Sequence, residues 1–289
     1  EWIARVEELG TGLREGGLYL FPQWETLAGL QGAGIGANAV NSNLWFLLPG
    51  LVYGLSGNFV LAYRIYMHFI QAGTLAASLL LFRRVFPGEE GKMPAAFGAL
   101  LYMTCPYRIY VCYDIANLSQ AAAWMMLPLY IRAAAGMMEG KERARNLVFG
   151  ALALAGAGYG DVVLFAASAA AAILAGIAAR KFTVLASVAG GCVLAAPGLY
   201  RLAVYLFSDD FAQRGLPLQS IMQNGYRIGD YFGVYFFRDG RPGMGLGMLI
   251  CILTGFWLYF VAGKKGKQKR DRVFCILGGL FLVMSFHYF

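Results

Sequence analysis

The sequence predicts an all-α membrane protein: a polytopic bundle of about eight spanning helices, one short re-entrant or juxtamembrane helix, and extracytoplasmic loops. Three observations carry that expectation. The 289 residues are 59% hydrophobic and only 14% charged, with a mean hydropathy of +0.57, whereas a soluble domain of this length uses roughly a quarter of its positions for charge. Long apolar runs follow one another along the chain, and the basic residues gather in the short connections between them.

In chain order, residues 1–43 are mixed and Gly-rich, and read as an extracytoplasmic juxtamembrane segment. Ile3, Val6 and Leu9 recur at helical spacing, which predicts a short amphipathic helix at its start. Residues 44–206 form the transmembrane core. Its first run, 44–56, is short and carries Pro49-Gly50, so a break and a re-entrant or surface-lying helix are expected there. The runs 59–82, 93–106, 117–137, 147–159, 161–178 and 182–206 are expected to cross. The loop 207–243 is extracytoplasmic, and 244–263 and 273–289 are C-terminal crossings. The chain opens on Glu1 and closes on Phe289 within an apolar run, so an upstream helix and a downstream remainder are expected.

Basic residues set the orientation. Arg83-Arg84 with Lys92, then Lys141, Arg143 and Arg145, then Arg180-Lys181, and finally Lys264 to Arg272 fall on one side if every run from 59 onward crosses once. Cytoplasmic loops concentrate Lys and Arg, so that side is cytoplasmic. The segment 107–116, the turn near 160 and the loop 207–243 then lie outside. They share that surface with residues 1–43 if 44–56 does not cross.

The net charge of +8 does not indicate nucleic acid, because the cations lie in short loops rather than among exposed aromatics on one module. Cys105, Cys112, Cys192, Cys251 and Cys275 form no CxxC pair; they read as small packing residues, with a Cys105–Cys112 disulfide left open. His68 and His287 sit alone in apolar runs, so no metal site is expected. No phosphate-binding loop, dinucleotide fingerprint or nucleophile elbow occurs, and no cofactor is expected.

The richest polar stretch places Tyr102, Tyr107, Tyr110 and Tyr113 around Pro106, Arg108 and Asp114, and continues into Asn117, Ser119 and Gln120. One reading is an aromatic belt with a snorkelling arginine. The other is a contact to a lipid phosphate or a sugar, with Arg108 gripping phosphate oxygens and Asp114 orienting it or acting as a base. Asp161 follows Gly158-Tyr159-Gly160 and is either a site carboxylate or the N-cap of the next helix. The loop 207–243 interleaves charges with aromatics, suited to carbohydrate or headgroup contact or to an amphipathic surface helix. The Ala-rich stretch 151–179 reads as close helix packing.

The order Arg5-Val6-Glu7-Glu8-Leu9, Leu13-Arg14-Glu15-Gly16-Gly17, the Gly-rich stretch, and Leu44 to Gly57 resembles the membrane glycosyltransferases of the GT-C type. Within them it is most similar to the bacterial 6-pyruvoyl-tetrahydropterin-synthase-related membrane proteins, with the YfhO-like branch next. Ala95-Ala96-Phe97-Gly98-Ala99-Leu100-Leu101-Tyr102, Pro106-Tyr107-Arg108 and Leu127-Pro128-Leu129 resemble that family's "alLY…pYR…lPL" pattern, and the resemblance covers roughly residues 1–205. It departs at Val111, Ile115 and Gln120, which stand where the family pattern has Asp, Arg and Glu.

The resemblance implies transfer of a sugar from a polyprenyl-phosphate donor to a cell-envelope acceptor at the outer face of a bacterial cytoplasmic membrane. Membrane lipids are the other expected partners. An outward carboxylate serves as base in such chemistry, and Glu7, Asp114 and Asp161 are the candidates. Glu7, with Glu8, stands in for the family's acid, which is expected upstream of Glu1. Tyr107, Arg108, Gln120 and Arg201 are candidates for holding the donor, with Arg108 or Arg201 at its phosphate. The rival expectation is a non-enzymatic membrane protein, a transporter or lipid-handling scaffold, with Arg64, His68 and Arg201 lining its path.

Overall fold

The computed structural model describes residues 2–14, 25–26, 34–35, 43–114, 116–140 and 143–207. The loop 207–243 beyond its first residue, and the runs 244–263 and 273–289, lie outside the described residues. Within them the chain is helical, apart from a two-residue antiparallel ladder between Glu25–Thr26 and Gly34–Ile35.

Helix α1 (Trp2–Arg14) buries Val6 and Leu9 of the expected apolar face, while Ile3, in its first turn, is exposed; it packs on α2 (Leu47–Ser56), which a 3₁₀ turn at Asn43–Phe46 introduces. Arg5 lies over the Phe46 ring at 4.4 Å. The expected break at Pro49-Gly50 does not occur. Pro49 falls in the first turn of α2, where a backbone N–H has no helical partner to lose, so the helix runs through it.

The remaining helices are α3 (Phe59–Val85), α4 (Lys92–Met103), α5 (Pro106–Ile109, continued by a π-helical turn at Tyr110–Asp114), α6 (Leu118–Glu139), α7 (Arg143–Gly160), α8 (Val162–Ala179) and α9 (Phe182–Phe207). Four of them, α3, α6, α8 and the first 19 residues of α9, are long and apolar enough to cross a membrane. Helix α4 has 12 residues, too few alone, and the 18 residues of α7 carry Arg143 and Arg145 near their start.

Helix punctuation gives the bundle two chemically different ends. Helices α3, α6 and α8 start on Asn58, Asn117 and Asp161, each accepting a hydrogen bond from a backbone N–H of the first turn. Their far ends carry Arg83 and Arg84, Glu139 and Gly140, and Arg180. Gly140 turns the chain at φ 77°, a conformation glycine adopts without strain. Arg84 pairs with Glu139 at 2.9 Å, which fixes the ends of α3 and α6 side by side. The return helices α4 and α7 begin on Lys92 and Arg143. One end therefore holds the Asx caps and the other most of the basic residues.

Two apolar clusters fill the interior. Tyr66 and Ile70 of α3, Val111 of the π turn and Leu118 of α6 join Val6, Leu9 and Phe46, while Met137, Leu154, Phe165 and Val184 join α6–α9. Helix α6 packs against both α3 and α7, and α7 against α9. The approach of α6 to α7 is close because α7 buries Gly150, Ala151, Ala153, Ala155, Gly156, Ala157 and Gly160. Cys105, Cys112 and Cys192 are free thiols, so Cys105 and Cys112 form no disulfide.

The run 93–106 is interrupted near its end. Pro106 has no N–H and its ring excludes the helical position of the Tyr102 carbonyl, so α4 stops at Met103 and α5 restarts on the proline. The segment after the break folds into the bundle, and Val111 and Cys112 are 0% exposed.

Gly160 meets the Ser119 carbonyl and Ala123 of α6 so closely that a methyl group would displace backbone. Gly160→Ala should destabilise the protein by about 1–3 kcal/mol, read as a lowered Tm in detergent. At Gly150 an added methyl meets chiefly the flexible tip of Met137, at 3.2 Å, and Gly150→Ala should unfold close to wild type.

Candidate functional site

Two polar groups of side chains lie at different heights along the bundle. The upper one is at the Asx-capped end. Asp161 Oδ1 accepts hydrogen bonds from the backbone N–H of Val163 (2.8 Å) and Leu164 (3.1 Å), so it caps α8. Its Oδ2 accepts from Gln120 Nε2 at 2.5 Å. The same amide donates to the Tyr107 hydroxyl at 3.4 Å. Three elements therefore converge: α5 brings Tyr107, the first turn of α6 brings Gln120, and the α7–α8 turn brings Asp161. All three side chains are half-buried.

Asn117 sets this arrangement. Its Oδ1 accepts from the Gln120 N–H at 3.2 Å and from the Ser119 hydroxyl at 3.0 Å, fixing the turn that aims Gln120 at Asp161. Trp124, one turn further, stands with its ring centroid 5.6 Å from that of Tyr107. A carboxylate, an amide, a phenol and an indole together can accept a proton, orient hydroxyl groups and offer an aromatic face.

The lower group centres on Arg108, which is 1% exposed. Its Nη1 donates to the Met103 carbonyl at 2.9 Å, and its Nη2 donates to Gln71 Oε1 at 2.5 Å and Thr74 Oγ1 at 3.1 Å. Its Nε meets no partner among the described residues. Gln71 Nε2 in turn donates to the Tyr113 hydroxyl at 3.0 Å. Measured from the Arg84–Glu139 pair, Thr74 lies ten residues up α3, roughly 15 Å at the helical rise, and Gln120 nineteen residues up α6, roughly 28 Å. Tyr107 thus belongs to the upper group while its neighbour Arg108 reaches down into the middle of the bundle.

Of the residues singled out in the sequence, Tyr107, Gln120 and Asp161 are brought together. Arg108 adjoins them in the chain but spends its guanidinium on α3 and on the end of α4. Glu7 stands on the exposed face of α1, which packs chiefly on α2. Asp114 ends the π turn and Arg201 lies near the end of α9, but their side chains are outside the described residues. Tyr159 Oη donates to the Leu194 carbonyl at 2.8 Å, which brings the Asp161 end of α7 level with a point two turns before Arg201. His68 and Arg64 both lie on an exposed face of α3, with His68 Nδ1 2.7 Å from the Arg64 carbonyl oxygen. No group of three or more His, Cys, Asp or Glu residues that could hold a metal occurs among the described residues.

Sequence reasoning passed over Gln71, Thr74 and Trp124. The first two carried a usable signal, since Gln71, Thr74 and Ser78 form a polar row at helical spacing on an otherwise apolar helix. Comparisons of the chain with family models, with curated proteins and with solved structures found no match.

The double engagement of Asp161 makes its two roles separable. Asn caps a helix about as well as Asp but offers Gln120 Nε2 no second acceptor oxygen, so Asp161→Asn should destabilise less than Asp161→Ala, which loses the cap as well and costs about 1 kcal/mol more. Thermal unfolding of the two purified variants checks this.

Proposed function

We propose that the chain is a membrane glycosyltransferase of the GT-C type, acting at the extracytoplasmic face of a bacterial cytoplasmic membrane with Asp161 as general base. The observation that carries this reading is the convergence of Gln120 and Tyr107 on the Asp161 carboxylate at the end of the bundle opposite most of the basic residues. Positive charge concentrates on the cytoplasmic side of membrane proteins, so the Asx-capped end faces outward. In this reading α7 and the broken α4–α5 unit also cross, and 244–263 and 273–289 complete about eight crossings.

The reaction is an inverting displacement. An acceptor hydroxyl attacks the anomeric carbon as that carbon's bond to the donor phosphate oxygen breaks. The hydroxyl proton passes to Asp161 Oδ2, and polyprenyl phosphate leaves with the bonding electron pair. Gln120 holds the carboxylate in place through its amide, and Tyr107 and Trp124 offer the sugar a hydroxyl and a ring face. Arg201, on the last turns of α9, is the cation assigned to the leaving phosphate. Asp161 is preferred to Glu7 as base because Gln120 and the α8 N-terminus orient it, whereas Glu7 stands on the exposed face of α1.

The test uses full-length protein in detergent or nanodiscs with a polyprenyl-phosphate hexose. Saturable binding is expected. Asp161→Asn should retain that binding while sugar transfer, or slow release to water where no acceptor is present, falls by about 100-fold or more. Absence of binding would contradict the transferase and favour a transporter or scaffold, and undiminished turnover in Asp161→Asn would remove Asp161 as the base.

A further inference from the structure

We infer that Arg108 is a positioning residue: it clasps the break between α4 and α5 onto α3 and thereby sets Tyr107 against Gln120 and Asp161. Its effect on turnover rests on the reading above; the clasp itself does not.

The hydrogen-bond ladder thins at the break. Cys105 N–H reaches the Tyr102 carbonyl only at 3.4 Å and Pro106 has no N–H to give, although Thr104 N–H and Ile109 N–H on either side are bonded at 2.9 and 3.0 Å. The far end of the segment is pinned by burial, with Val111 and Cys112 in the apolar cluster beside Tyr66, Ile70 and Leu118. The near end carries Tyr107; Pro106 is buried there and the Tyr102 hydroxyl ties the last turn of α4 to the Trp124 carbonyl at 2.6 Å, while Arg108 supplies the hold on α3. One arm of the guanidinium takes the Met103 carbonyl, the last residue of α4, and the other takes Gln71 and Thr74 on α3. A single planar group thus ties α5 to the backbone at the end of α4 and to two side chains of α3. Lysine cannot reproduce this, because its ammonium is a compact point charge without the fork.

Released from the clasp, the segment would pivot about Val111 and Cys112, and the largest movement would fall at residues 105–107. The Gln120–Tyr107 hydrogen bond, already 3.4 Å long, would be lost first. Buried to 1% exposure, the guanidinium has its functional consequence through Tyr107 rather than by touching a ligand.

Cys105 lies in the break and is half-buried, so its thiol reports the clasp without any substrate. The experiment uses full-length protein in nanodiscs with every other cysteine replaced by alanine, and measures alkylation of Cys105 by a membrane-permeant maleimide. Arg108→Lys should raise the rate by about tenfold, as expected for losing a charge-assisted hydrogen bond that holds a local closure. The near-isosteric Thr74→Val, which tests the same contact from α3 and threatens folding least, should raise it about threefold. Asp161→Asn should leave it unchanged. Wild-type alkylation in both Arg108→Lys and Thr74→Val would overturn the clasp. With polyprenyl-phosphate hexose, Thr74→Val and Arg108→Lys should lower kcat and weaken Kd in parallel, because both displace Tyr107 from the sugar. A large Kd loss confined to Arg108→Lys would instead make Arg108 a phosphate contact and overturn the proposal. If no variant or wild type binds the donor, the transferase reading fails while the alkylation result still decides the clasp.

Discussion

A guanidinium enclosed in an apolar helical bundle must find its hydrogen-bond acceptors within the protein, because water is not there to supply them. Arg108 finds three: the carbonyl at the end of the helix that breaks before it, and two side chains on α3. The rest of the polar architecture follows from that choice. The interrupted helix supplies the carbonyl, the polar row on α3 fixes the height of the break, and the turn that sends Arg108 downward sends Tyr107 toward the Asx-capped end. A continuous helix would have consumed the Met103 carbonyl in its own ladder.

The second constraint is steric. Helices α6 and α7 approach closely because alanine and glycine line their contact, and Gly160 touches the backbone of the first turn of α6. Closeness there has a chemical result: the cap of α6 and the cap of α8 become neighbours, so Gln120 meets Asp161. An Asx residue that starts a helix is ordinarily occupied by that helix alone. Here Oδ1 serves the cap and Oδ2 serves the neighbouring helix, which fixes the carboxylate while leaving it half-exposed. Structural and chemical readings of Asp161 are therefore compatible, since different oxygens serve them.

The sequence conveyed the fold through its coarse pattern. Apolar runs located the long helices, the spacing of Ile3, Val6 and Leu9 located α1, and Asp161 announced the start of α8. The alternation of basic connections matched the shared end of Arg84 and Glu139. Where the reading departed, the cause was local geometry that composition does not encode. Pro49 looked like a breaker but fell in a first turn, while Pro106 broke a helix in mid-course and folded the apparent turn inward. At the site, Tyr107, Gln120 and Asp161 were visible as polar residues at run ends. The burial of Arg108 was not, because its partners Gln71 and Thr74 lie more than thirty residues earlier and are found only once the height of the break is known.

A carboxylate base for a lipid-linked sugar donor is useful only on the side of the membrane where that donor is presented, so the account stands on the orientation of the Gln120–Asp161 end. The most direct measurement is labelling of single cysteines at positions 161 and 180 by a small impermeant methanethiosulfonate, in intact cells carrying the full-length protein without its native cysteines. The account predicts labelling at 161 in intact cells and at 180 only after permeabilisation. Labelling at 180 with protection at 161 would place the site on the cytoplasmic face and contradict it.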